Sequence, residues 1–72
     1  MFSKTESITM TLSGVHDVAT GHAATKALKQ VDGVKSATVN HRLAVAQVTY
    51  LPKKTTVDTI TRALSQAGFS VV

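Results

Sequence analysis

The 72 residues contain no cysteine and no tryptophan. Without a thiol the chain forms no disulfide, no thiolate metal centre and no redox couple. Acids are scarce: Glu6, Asp17, Asp32 and Asp58 are the only ones, and the net charge of +4 owes as much to that scarcity as to the bases. The bases are spread along the chain, with Lys53-Lys54 the only adjacent pair, which is not the pattern of a polybasic arm. Aromatics are limited to Phe2, Tyr50 and Phe69. Sheet-type RNA readers stack bases on exposed aromatic rings, and Tyr50 and Phe69 fall at core positions, so no nucleic-acid partner is expected. No apolar run is long enough for a secretory leader or a membrane span, and a cytoplasmic location is the expectation.

The length allows a single domain, 1–72 with a core from about residue 7 onward, burying roughly two-thirds of its extended surface. There is room for one sheet covered on one face and none for a deep cleft. A hydrophobic content of 43% with 17% charged residues fits a compact fold. From Ser7 to Leu12, Ile8, Met10 and Leu12 alternate with Ser7, Thr9 and Thr11, the period of a strand with one buried face. Ser13-Gly14 breaks it. Ala24, Ala27, Leu28 and Val31 then recur at helical spacing, and Asp32-Gly33 ends that helix. Lys35–Val39 and Ala44–Tyr50 read as strands joined by a turn at Asn40-His41-Arg42-Leu43, with Ala44, Ala46, Val48 and Tyr50 facing inward. Pro52 stops the second of them. Thr55-Thr56 caps a helix carrying Val57, Ile60, Leu64 and Ala67, Gly68 closes it, and Phe69–Val72 is a last short strand. Two β-α-β units with right-handed crossovers give a ferredoxin-like α/β sandwich. Its four-stranded sheet is antiparallel, with both helices on one face.

Several local marks now fall into a known order: Gly14-Val15, Ala27-Leu28, Val31-Asp32-Gly33-Val34, Val39-Asn40, Val48-Thr49-Tyr50-Leu51-Pro52 and Ala67-Gly68-Phe69. In that order and spacing the chain, from about Ser7 to Val72, resembles the heavy-metal-associated domain. This is the family of small copper chaperones and of the soluble modules of metal-pumping ATPases. The family holds soft ions with Cys-x-x-Cys, and counting from Gly14 those positions are Asp17 and Thr20 here. A carboxylate and a hydroxyl do not select Cu(I) as thiolates do, so the family's copper chemistry does not carry over.

Two readings of the loop stay open. All three histidines, His16, His22 and His41, are expected at the end of the fold where the family holds metal. With Asp17 they offer nitrogen and oxygen donors suited to Zn(II), Co(II), Ni(II) or Fe(II), with Cu(I) disfavoured. His41 is the doubtful member, its turn lying to one side. In the other reading no metal binds, and Asp17 or Thr20 caps the first helix. Val15 is expected to plug the core beneath the loop and Phe69 to cover it from below. Lys26, Lys29 and Arg62 form either a solvated helical face or a docking face for an acidic partner domain, such as that of a metal-transporting ATPase. No nucleophile sits in a formed pocket, so no catalytic residue and no enzymatic activity are expected. The function expected is that of a small soluble metal-binding or metal-trafficking protein without thiolate ligands, monomeric or a weak homodimer. The alternative is an interaction module that kept the fold and lost the metal.

Overall fold

A computed structural model describes residues 4–72. Phe2 and the rest of the extreme N-terminus, read above for a leader, lie outside the described residues. The elements are β1 (Glu6–Ser13), α1 (Val18–Lys29), β2 (Val34–Asn40), β3 (Val45–Tyr50), α2 (Val57–Gln66) and β4 (Ser70–Val71). The sheet has the order β2-β3-β1-β4 with antiparallel pairing throughout, the ferredoxin-like arrangement that the alternating periods predict.

The alternation in β1 works as its sequence implies. Met10 and Leu12 are buried, while Thr9 and Thr11 stay exposed on the uncovered face. β1 pairs with β3 from Glu6↔Tyr50 to Thr11↔Val45, which sets Ala46, Val48 and Tyr50 on the same inner face as Met10. Above them α1 contributes Ala24 and Leu28, and α2 contributes Ile60 and Leu64. With Val15, Ala37 and Phe69 these make one core. Burying each of the larger aliphatic side chains is worth about 1.5–3 kcal/mol, so this cluster is the main source of stability.

The helices end where local chemistry dictates. α1 carries Lys26 and Lys29 in its last turn, where the helix dipole favours cations, and Gln30 caps it. Gly33 then turns the chain at φ +99, a region that side chains avoid. A Cβ there would lie 2.8 Å from that of Lys54, so this turn and the β3–α2 turn are pressed together. Thr56 caps α2, its hydroxyl accepting from Thr59 N–H at 3.2 Å, and Asp58 sits in the favourable first turn.

Four details depart from the sequence reading. Val57 and Ala67 lie at helical spacing with Ile60 and Leu64 yet are exposed, because α2 buries a narrower stripe. β4 is two residues long and begins at Ser70. β2 carries a register shift between Val34 and Ser36. Ala44 turns the chain at φ 53 without being glycine. Its neighbours explain the strain: Asn40 Oδ1 accepts from Arg42 and Leu43 N–H (3.0 and 3.2 Å), closing a turn that delivers Ala44 to β3.

Candidate functional site

The loop between β1 and α1 begins at Gly14 and is seated by two apolar side chains. Val15 is buried beneath it, the plug expected from sequence, and a Cβ built on Gly14 would touch the ring of Phe69 at 3.3 Å. Phe69 therefore lies against the loop as expected.

Asp17 and Thr20 face each other across the start of α1. Asp17 is the N-cap in extended geometry, and its Oδ1 accepts from Thr20 N–H at 2.8 Å and from the Thr20 hydroxyl at 2.7 Å. In return Thr20 Oγ1 accepts from the backbone N–H of Asp17 (3.1 Å) and of His16 (3.0 Å). This is a capping box, in which the orphan donors of a helix start are satisfied by two side chains three residues apart. Its usual second member is Glu or Gln; threonine fills that place here. The Asp17 carboxyl is held below its usual range, chiefly by the Thr20 hydroxyl and then by Thr20 N–H. Desolvation works against this shift, and His16 and His41 assist it weakly.

The histidines divide. His16 Nε2 lies 3.7 Å from Asp17 Oδ2, both well exposed. His41 is half-buried, its turn packed against the first turn of α1. It gets there through Gly21: a Cβ on that residue would sit 3.2 Å from the Cβ of His41, so the bare backbone of α1 admits the β2–β3 turn. Gly21 was missed from sequence, although a buried glycine within a helix is itself a sign of close approach. His22 follows Gly21 in α1, roughly 100° further round the helix, and it is exposed. Among the described residues no three His, Asp or Glu side chains are grouped so as to hold a metal ion.

The basic residues lie elsewhere. Lys26 and Lys29 are exposed on α1, and Arg62 is committed to Asp58 at 3.1 Å along α2. Between the helices runs a shallow groove lined by Ala27, Gln30, Ala63, Gln66 and Ala67. No helix is long and apolar enough to cross a membrane among the described residues.

The strand order β2-β3-β1-β4, the glycine-initiated loop above a buried Val15 and the helix start at Asp17 define a ferredoxin-like α/β domain. Residues 9–70 match the family model described as heavy-metal-associated domain, and the chain belongs to that family. It is 33% identical over 64 residues to the mercuric transport protein periplasmic component of Shewanella putrefaciens, covering 89% of this chain and 70% of that protein. Oxidized MerP from Ralstonia metallidurans CH34 superposes with a TM-score of 0.91 at 29% identity, covering 96% of each chain. The water-soluble region of the P-type ATPase CopA from Bacillus subtilis superposes equally well, with a TM-score of 0.91 at 32% identity. All of this chain matches there, over 48% of that one.

Proposed function

We propose that this chain is a thiol-free interaction module of the metal-trafficking family, whose loop is ordered by its own side chains in place of a bound ion. The observation that carries the reading is the reciprocal bonding of Asp17 and Thr20. At the two positions where the family resemblance calls for thiolates, both side chains are spent on the helix start and on each other. That donor set does not fit a soft ion such as Cu(I). Non-enzymatic docking follows, with a metal-transporting ATPase or a similar acidic domain as the partner and Lys26 and Lys29 as contacts. Arg62, already paired with Asp58, contributes less. The compartment proposed is the cytoplasm; one relative is described as periplasmic, and fractionation of the expressed protein decides between them.

A second reading has an observation of its own. Asp17 Oδ2 stands 3.7 Å from His16 Nε2, and the turn that carries His41 packs against Gly21 in the first turn of the helix that Asp17 caps. Those groups, with His22 if its side chain swings round, would take Zn(II), Co(II), Ni(II) or Fe(II) with open positions left for a partner.

Calorimetric titration with Zn(II), Co(II), Ni(II) and Cu(I) separates the two. The first reading expects no binding tighter than millimolar and an unchanged circular-dichroism spectrum. Micromolar binding abolished by His16→Ala or His41→Ala overturns it and establishes the second.

A further inference from the structure

The two ends of the sheet differ in charge. β1 leaves one end at Glu6, opposite Tyr50, and reaches Ser13 at the other, where the Gly14–Gly21 loop and the β2–β3 turn lie. Eight residues of strand, at about 3.3 Å each, hold the two ends about 25 Å apart. At the loop end the side chains charged at neutral pH are Arg42 and Asp17, which balance. The far end gathers lysines that the sequence scatters. There the α1–β2 turn and the β3–α2 turn are pressed together: Leu51 N–H donates to the Gly33 carbonyl at 2.8 Å, and a Cβ on Gly33 would meet that of Lys54. Lys29 ends α1 just before the first turn, Lys35 follows it in β2, and Lys53 and Lys54 stand side by side in the second.

All four lysines are exposed, and none is spent on a carboxylate: among the described residues the ion pairs are His16–Asp17 and Arg62–Asp58. Asp32 is the one acid in these turns, while Lys4 and Glu6 at the start of β1 offset each other. Like charges brought together without counter-charges present a local field to an external anion. The form of the surface narrows what that anion is. The groove between the helices is lined by none of these lysines. Ammonium groups on flexible stems act as point charges, whereas a shaped carboxylate site favours the rigid fork of arginine. Apolar side chains stand among them: Val57 is 43% exposed, and Leu51 and Pro52 are half-buried. Diffuse positive charge with a little apolar area suits a layer of lipid headgroups better than a shaped protein site.

We propose that this end of the domain rests on a bilayer rich in anionic phospholipid, held by Lys29, Lys35, Lys53 and Lys54, with Val57 entering the headgroup layer. A lysine close to such a surface is worth about fivefold in partitioning. Four together favour it over a neutral bilayer by a factor on the order of several hundred, a reversible attachment rather than a permanent anchor. The Gly14–Gly21 loop and the β2–β3 turn then face away from the membrane, open to a partner domain. The proposal adds a location to the module read above. It is tested without metal and without a partner protein, so either can fail alone.

The probes are vesicles of phosphatidylglycerol and phosphatidylcholine in equal parts, and of phosphatidylcholine alone, sedimented with the protein at about 0.1 M salt, where the Debye length is about 10 Å. Binding to the anionic vesicles alone is expected, with release at about 1 M salt, where that length is about 3 Å. Lys54→Gln and Arg42→Gln lower the net charge equally but at opposite ends. The first should weaken partitioning by about fivefold and the second by less than about twofold; Lys35→Gln, Lys53→Gln and Lys54→Gln combined should cost about a hundredfold. Circular dichroism checks that each variant is folded. A spin-labelled headgroup should broaden the amide signals of Gly33 and Lys53–Val57 and spare those of Gly14–Gly21. Equal binding to neutral vesicles overturns the proposal, and so does broadening centred on the loop. Equal losses in Lys54→Gln and Arg42→Gln would trace the attraction to net charge and overturn it too. Tighter binding of polyglutamate than of the anionic vesicles, at the same lysines, would assign this end to an acidic protein instead.

Discussion

Replacing Thr20 by valine keeps the branched side chain and the backbone N–H that donates to Asp17, and removes a single oxygen. That oxygen accepts from His16 N–H at 3.0 Å and Asp17 N–H at 3.1 Å and donates to Asp17 Oδ1 at 2.7 Å. One intramolecular hydrogen bond is worth about 0.5–1.5 kcal/mol net. The two orphaned N–H groups lie at an exposed site where water replaces the lost acceptor, so the contributions do not sum. A loss of about 1 kcal/mol is the result, in the usual range for a helix cap. For a domain of this size that lowers Tm by about 4–8 °C. Thr20→Ser keeps the oxygen and stays within about 0.5 kcal/mol of wild type. Urea and thermal unfolding followed by far-UV circular dichroism measure both variants, with equal m-values confirming that the native state alone has changed. If valine and serine unfold together, the box does not order the loop, and the proposed function loses the observation that carries it.

Other outcomes follow from the same geometry. Asp17 has a depressed carboxyl pKa, so its contribution to stability is present above the ordinary carboxylate range and is lost as pH falls through the folded-state value. The stability gap between wild type and Asp17→Asn should therefore be full at neutral pH and shrink on acidification below about pH 4; a gap independent of pH would refute this. Thr55 is 5% exposed and its hydroxyl has no partner among the described residues. Thr55→Val should stabilise by about 1 kcal/mol, read as a higher urea midpoint, and a loss of stability would mean that a bound water serves the hydroxyl. Gly33→Ala meets both a left-handed φ and a Cβ contact of 2.8 Å, and should cost about 2 kcal/mol or more. A fall in Tm of only a degree or two would show that the two turns separate easily.

The fold was legible because its signals are local and redundant. Ile8, Met10 and Leu12 alternate, Gly33 and Pro52 punctuate, and Ile60 and Leu64 sit one turn apart, so each element was readable from its own residues. The loop was half legible. Asp-x-x-Thr before a helical pattern is cap chemistry, and the spacing from Gly14 located it. The histidines were harder, because whether they meet depends on contacts between elements distant in sequence. His41 is drawn in by the missing side chain of Gly21, and His22, one residue on, is carried away by helical rotation. Nothing in the period of α2 announces that Val57 stays exposed. That depends on what lies beneath the first turn of α2, a matter of contacts between elements and not of its own period.

A loop tip that took its shape from a captured ion would change with the supply of that ion. Here the same tip is tied by an aspartate and a threonine, with no thiol anywhere in the chain. On the reading proposed above, its conformation is constitutive: a binding partner would meet the same surface in scarcity and in excess of any ion, as a fixed adaptor requires.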